Sequence, residues 1–319
     1  MLSLTVNRHN CEQRLDRFLR KAFPAASLSL IFAVIRKKKV RVNGIVGKAA
    51  QMLRENDMLN IYEDLPQVPQ KKSFEQIEKR VHNIKDKLNF VFKNSNFAVL
   101  NKPCGLASQS GSGVSEDECL AGMLALWARG EGLDFKPALV HRLDKETSGL
   151  IIAALSGPAL REFGSMIRER KIRKEYLALV KGKMPQKSGK ISMALPGDAK
   201  ISESVWKVER SFDECDLVRV RLETGRKHQI RIHFAQINHP LLGDSRHGDF
   251  ALNKKFKKDF GLARLFLHST LLEFYWQGKR VKLESALPEE LERVLQNKEV
   301  KINQVEQAAA RPAPQGRAT

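Results

Sequence analysis

A chain of 319 residues, 42% of them hydrophobic, can build two units with real cores, and no apolar run approaches the roughly 20 residues of a membrane span. A formal net charge of +20 points to a polyanionic partner, most often nucleic acid. Four cysteines (Cys11, Cys104, Cys119 and Cys215) lack CxxC spacing, which argues against a disulfide framework and a zinc site and fits a reducing, cytoplasmic setting. Met1 to Arg8 lacks a basic region followed by an apolar core, so no signal peptide is expected.

Residues 1–62 read as a small basic α/β unit. Leu15, Phe18 and Leu19 make one helical stripe, with Arg14, Arg17 and Lys21 on a neighbouring face and Pro24 as the stop. A second helix is expected from Ser29 as N-cap, with Ile31, Val34 and Ile35 inward, running into the basic run Arg36 to Lys39. Val40 to Val42 alternates as a strand, Asn43-Gly44 signals a tight turn, and Met58 to Tyr62 closes the unit. This stretch holds 12 Lys and Arg against 4 Asp and Glu, so it carries +8 of the +20. Cations on helices beside a short sheet suit contacts to an RNA backbone.

Residues 63–86, with Pro66 and Pro69, read as a linker. A larger unit, residues 87–300, follows. Phe90 to Phe92 and Phe97 to Leu100 are strand-like, Gln109 to Gly113 is a flexible loop, and Cys119 to Ala128 is a helix. Gly149 to Leu155 has the length and branching of a buried strand, and Ser156-Gly157-Pro158 opens a helix with Leu160, Phe163 and Ile167 inward and Arg161, Arg168 and Arg170 outward. Tyr176, Ala178 and Val180 share one strand face, with Leu177 and Leu179 on the other. Leu217 to Leu222 alternates likewise, and Ile230, Phe234 and Ile237 form a helical stripe. Leu265 to His268 and Leu271 to Tyr275 read as two late strands joined across a turn at Gln277-Gly278, and residues 301–319 as a tail without structure. Many strands among few helices imply an α+β fold, a mixed and largely antiparallel sheet with a cleft, rather than regular βαβ units.

The densest chemistry is the knot His141-Arg142-Leu143-Asp144-Lys145-Glu146-Thr147-Ser148 ahead of the buried strand. A kinase loop is excluded, since Leu143 separates Arg142 from Asp144 and no glycine-rich phosphate loop exists. His228 and His233 fall on different faces of their helix with no acidic motif, so no metal site is expected. No G-x-S-x-G elbow supports a serine triad, and Glu146, two residues from Asp144, is not counted as its glycosidase-type partner. One carboxylate, Asp144, remains in a basic setting.

That knot resembles the H-R-L-D-x-x-T-S-G-L motif of the RluA-type pseudouridine synthases. Asn101 to Leu106 is similar to the family's N-K-P-x-G-L segment and Lys174 to Gly182 to its K-x-Y-x-A-L-V-x-G strand. Gly225 to His233 resembles G-R-T-H-Q-I-R-x-H, and His239 to Asp244 resembles H-P-I-x-G-D. These segments, in family order, cover most of residues 88–295. The helix–helix–basic-run–Val-Arg-Val-Asn-Gly order of residues 1–62 resembles the S4 RNA-binding domain. Two departures stand out: Lys227 replaces a threonine, and His247 precedes Gly248 where a tyrosine is usual.

The resemblance implies an isomerase that converts uridine to pseudouridine, with large-subunit rRNA as the expected target. It implies Asp144 as the catalytic carboxylate, Arg231 as its ion-pair partner and Tyr176 against the uracil. It further implies Arg142 in the gap left by a flipped uridine, and His141, Lys102, Arg226, His228 and Gln229 at the substrate. Neither cofactor nor metal is implied, no membrane partner is expected, and a monomer is. The alternatives are a tRNA-modifying synthase and a non-catalytic RNA-binding or ribosome-assembly factor.

Overall fold

A computed structural model of the chain describes residues 1–8, 10–23, 26–66, 88–111, 114–115 and 118–309, with side chains to Glu299. Pro24, most of the expected linker, Ser112-Gly113 and the last ten residues lie outside them.

The N-terminal unit holds β1 (Leu2–Thr5), α1 (Leu15–Ala22), α2 (Leu28–Arg36), β2 (Val40–Val42), β3 (Ile45–Val46) and β4 (Met58–Ile61). The strands form an antiparallel sheet in the order β1-β4-β2-β3. Leu15, Leu19, Ile31, Val34, Val40 and Leu59 make its core. Asn43 and Gly44, at φ 50° and 80°, make the tight turn between β2 and β3, since both positions need a left-handed backbone. The second helix starts earlier than its sequence suggests. Ser27, not Ser29, is the N-cap, its hydroxyl accepting from Leu30 N at 3.2 Å. Arg14 leaves the basic face of α1 because it turns back onto Asp16.

The larger unit is built on a ten-stranded sheet. Its strands are β5 (Phe90–Lys93), β6 (Phe97–Lys102), β7 (Ala138–Leu139), β8 (Ser148–Ala154), β9 (Arg173–Lys181), β10 (Ser188–Leu195), β11 (Asp198–Phe212), β12 (Cys215–Leu222), β13 (Leu267–Trp276) and β14 (Lys279–Glu284). The order is β10-β11-β12-β9-β13-β8-β6-β5, with β14 on β13 and β7 on β8. Only the β13–β8 pairing is parallel, so the expected mixed, largely antiparallel α+β fold is what forms. Its helices are α3 (Leu120–Gly130), α4 (Gly157–Arg168), α5 (Gln229–Gln236), α6 (Phe250–Phe260) and α7 (Glu289–Ala309).

Alternation on β9 assigns its side chains as expected. Tyr176, Ala178 and Val180 join one core with Val218, Val220, Ile230 and Phe234, while Leu179 joins another with Leu217, Phe256 and Phe266. Ser156 caps α4 by accepting from Ala159 N at 3.2 Å. Two expectations change, and two elements form that the sequence did not suggest. The two late strands are one continuous β13, whose hairpin partner across Gln277-Gly278 is β14. The β10–β11 hairpin and α6 arise where polar faces hide any clear period. The stretch from 301, expected to lack structure, continues α7 as far as Ala309.

Two glycines fix how the loops meet the sheet. Gly149, at φ 111°, lies so close to β13 that a Cβ would stand 2.2 Å from Ser269 O. Gly243, at φ 76°, lets the chain pass Arg264 O, which a Cβ would approach to 2.0 Å. The first follows the Asp144 loop and the second immediately precedes Asp244.

Candidate active site

The β7–β8 connection carries Asp144 and is held from beneath. Ser108 Oγ donates to Leu143 O at 2.6 Å and accepts from Leu143 N at 3.0 Å. Gly105 N donates to Lys145 O at 2.8 Å. Lys102, fully buried, donates its ammonium to Leu106 O (2.7 Å), Pro103 O (2.9 Å) and Lys145 O (3.4 Å). Burial lowers its pKa to about 8. Expected at the substrate, Lys102 instead spends its donors on carbonyls and fixes the loop that presents Asp144.

A cleft of about 670 Å³ opens above this loop. Asp144, Tyr176 and Arg231 line it, together with Arg142, Arg168, Arg170, Lys174, Lys200, Arg226 and Lys227. Among the described residues Asp144 and Glu223 are its only acidic lining, so a strongly cationic wall surrounds one central carboxylate.

Arg231 projects from α5 and is 3% exposed. Its Nε and Nη2 each donate to the fully buried Asp244 at 2.7 Å, a bidentate pair. The remaining donors reach Asp144 Oδ2 at 3.4 Å through Nη1 and Glu146 Oε2 at 3.2 Å through Nη2. Burial opposes the Arg231 charge, but Asp244, then Asp144 and Glu146, outweigh it and raise its pKa. Burial pushes the Asp244 carboxyl up, while Arg231 and the backbone N–H groups of His247 and Arg246 pull it below its usual range. The sequence did not single out Asp244, nor count Glu146 as a neighbour of this pair. The signal for Asp244 was its place at the end of the His239 to Asp244 segment, after a glycine at positive φ.

Tyr176 comes from β9 and is 5% exposed. Burial, reinforced by the nearby Asp144 charge, raises the pKa of its phenol well above the ordinary value. His141 accepts from Ile152 N at 3.2 Å, extending the β7–β8 ladder with its ring, and burial lowers its pKa to about 3. It lines the cleft as a neutral group, bonded to the backbone of Ile152 and of Arg142. Arg142, next to it, is exposed and has no ion-pair partner among the described residues.

His228 caps α5 in a left-handed conformation, at φ 55°. Its Nε2 stands 3.8 Å from Asp144 Oδ1 and its Nδ1 3.3 Å from His247 Nε2. Burial lowers both imidazole pKa values, so the pair shares a hydrogen bond as neutral rings. His247, noted only as a departure, therefore orients a ring beside Asp144. His233 faces the other way, between Ser202 Oγ (2.7 Å) and Ser204 Oγ (3.0 Å) on β11, as its spacing from His228 predicted.

Gln229 was also expected at the substrate, and its side chain is already committed. Its Oε1 accepts from Thr224 Oγ1 (2.8 Å) and Arg226 N (3.0 Å), and its Nε2 donates to Glu203 O (2.9 Å) and Ser204 Oγ (3.1 Å). It holds the 224–228 turn in place. Arg226, on that turn, lines the cleft and reaches Asp198 at 3.3 Å. Among the described residues no group of His, Cys, Asp and Glu side chains has the geometry to hold a metal ion. No described helix is long and apolar enough to cross a membrane.

Comparison with known proteins places the chain in a family. Residues 96–236 match the family model for RNA pseudouridylate synthase and residues 13–59 that for the S4 domain. The ribosomal large subunit pseudouridine synthase C of Escherichia coli K12 is 33% identical over 301 residues, spanning 89% of this chain and 92% of that protein. Its namesake in Yersinia pestis is 32% identical over 92% of this chain and 94% of its own length. Among solved structures, human RNA pseudouridylate synthase domain containing 4 shares the fold at a TM-score of 0.61 and 21% identity, covering 71% of this chain and 98% of its own. Human RNA pseudouridylate synthase domain containing 1 does so at 0.52 and 26% identity, over 72% and 97%. The chain belongs to the RNA pseudouridylate synthase family, carries an N-terminal S4 domain, and is an isomerase acting on RNA.

Proposed function

We propose that the protein isomerises uridines of large-subunit ribosomal RNA to pseudouridine, with Asp144 as the catalytic carboxylate. The observation that carries this reading is the Asp144 carboxylate on the floor of a cationic cleft, beside Tyr176 and 3.4 Å from a buried, doubly anchored Arg231. The target class rests on the large-subunit relatives, whose length the chain matches almost throughout.

In this reading the uridine leaves its helix and enters the cleft, and Arg142 fills the vacated space, offsetting part of a flipping cost of a few kcal/mol. The N1–C1′ bond breaks, the uracil turns while still held, and C5 bonds to C1′. The C5 proton leaves and N1 takes one up, so atoms balance within an isomerisation. Asp144 supports the sugar carbon as positive charge or an open valence develops there. Arg231 fixes the rotamer of Asp144. Tyr176, held as a neutral phenol, packs against the uracil and, being a poor base, acts by orienting the ring rather than by taking the C5 proton. Arg226 and the neutral His228 stand at the rim and floor for contacts to the nucleotide.

Incubating the purified protein with unmodified ribosomal RNA and, in parallel, with unmodified tRNA tests the target. Pseudouridine is expected at discrete large-subunit positions. Product only in tRNA would overturn the ribosomal assignment, and binding without product in either would favour an assembly factor.

A further inference from the structure

The catalytic cleft does not account for all the unpaired positive charge. A second cleft of about 380 Å³ lies between α1 of the S4 domain and α4 of the catalytic domain. Arg17 and Lys21 enter from α1, and Arg161 and Arg168 from α4. Arg161 is spoken for, since Nη2 reaches Glu12 Oε2 at 2.6 Å and Nη1 donates to Cys11 O at 3.3 Å. That latch uses Glu12, the sole carboxylate lining the cleft among the described residues. Arg17, Lys21 and Arg168 are exposed and have no ion-pair partner among the described residues. Burial, then Arg17 and Arg161, lower the Lys21 pKa, as uncompensated like charges must.

Arg168 lines both this cleft and the catalytic one. A Cβ on Gly164 would stand 3.6 Å from its Nη1, so the guanidinium lies back along α4 over a residue that leaves it room. The cationic surface is therefore continuous from Asp144's cleft, over α4, to α1.

We infer that Arg17, Lys21 and Arg168 form a second, composite binding site for the phosphodiester backbone of the substrate RNA flanking the target uridine, bridging the S4 and catalytic domains. The inference rests on the RNA-modifying role proposed above and adds where the flanking strand runs. Phosphates recognised here set register and carry no base information. The Arg161–Glu12 latch positions α1 so that both helices face one strand.

The test compares R17Q, K21Q and the double variant with R20Q, which removes equal charge from the same helix outside this cleft. Each binds two RNAs, a target hairpin alone and the hairpin with its flanking strands, across a salt series. The double variant is expected to bind the longer RNA about tenfold more weakly, with a log–log salt slope shallower by about 1.4–1.8, two phosphates' worth. R20Q and the hairpin alone should move far less, and R17K should restore the longer RNA's slope. An equal loss on both RNAs, or an R20Q effect matching R17Q, would overturn the inference by making the charge generic. No loss on either would do so as well. Wild-type protein that binds both RNAs but forms no pseudouridine would instead defeat the functional reading.

Discussion

The floor and the rim of the catalytic cleft are built on opposite rules. On the floor, polar side chains are buried and nearly every donor is assigned: Lys102 to three carbonyls, Gln229 to four partners, Arg231 to Asp244 before it reaches Asp144. At the rim, Arg142, Arg168 and Arg170 are exposed and unpaired among the described residues. Buried charges without partners cost several kcal/mol, so a floor must be saturated to exist at all. Exposed cations lose little by waiting and keep their donors for a polyanion. The floor fixes one carboxylate, and the rim remains free to accept RNA.

Breaking the floor should cost most. Asp244→Asn removes the charge opposite a 3%-exposed guanidinium, and a buried pair broken on one side typically costs about 3–5 kcal/mol. Denaturant unfolding of D244N should show a loss of that order, together with lost activity. An unchanged midpoint would mean that Arg231 finds its support elsewhere.

Acid should attack the same scaffold through its buried imidazoles. His233 and His268 are fully buried, and burial lowers both to about 4 in the folded chain. Their unfolded pKa is about 6.5. Between those values the unfolded chain binds more protons, so stability is fully present above pH 6.5 and is lost as pH falls towards 4. Each imidazole contributes on the order of 3 kcal/mol to that loss. Thermal unfolding across pH 4–7 checks the sign, and His233→Asn should flatten part of the slope.

The rim should yield the smaller, salt-sensitive effect. Arg142→Ala is expected to leave the fold intact and weaken productive RNA binding by about 1–2 kcal/mol, with the salt slope shallower by about 0.7–0.9. A loss of thermal stability in R142A would move Arg142 from rim to floor.

The same division explains what the sequence disclosed. A continuous apolar run exposed β8 and period-two patterns exposed β9 and β12, because hydrophobic burial leaves a local trace. Motif resemblance brought Asp144, Tyr176 and Arg231 together, although Arg231 lies 87 residues from Asp144. It could not separate rim from floor. Lys102 and Gln229 carry the residue types of substrate ligands, and only their position under the loops commits them to carbonyls and hydroxyls. Asp244 and His247 escaped because their partners, Arg231 and His228, lie on another element. The β10–β11 hairpin escaped because alternate side chains face solvent along an irregular register.

The central claim is that Asp144 performs the chemistry while the saturated floor only holds it in place. Single-turnover conversion of large-subunit rRNA by Asp144→Asn, run beside an RNA-binding measurement on the same preparation, tests it most directly. RNA affinity near that of the wild type with no pseudouridine formed is the predicted result. Pseudouridine produced by D144N at a rate comparable to the wild type would contradict the account.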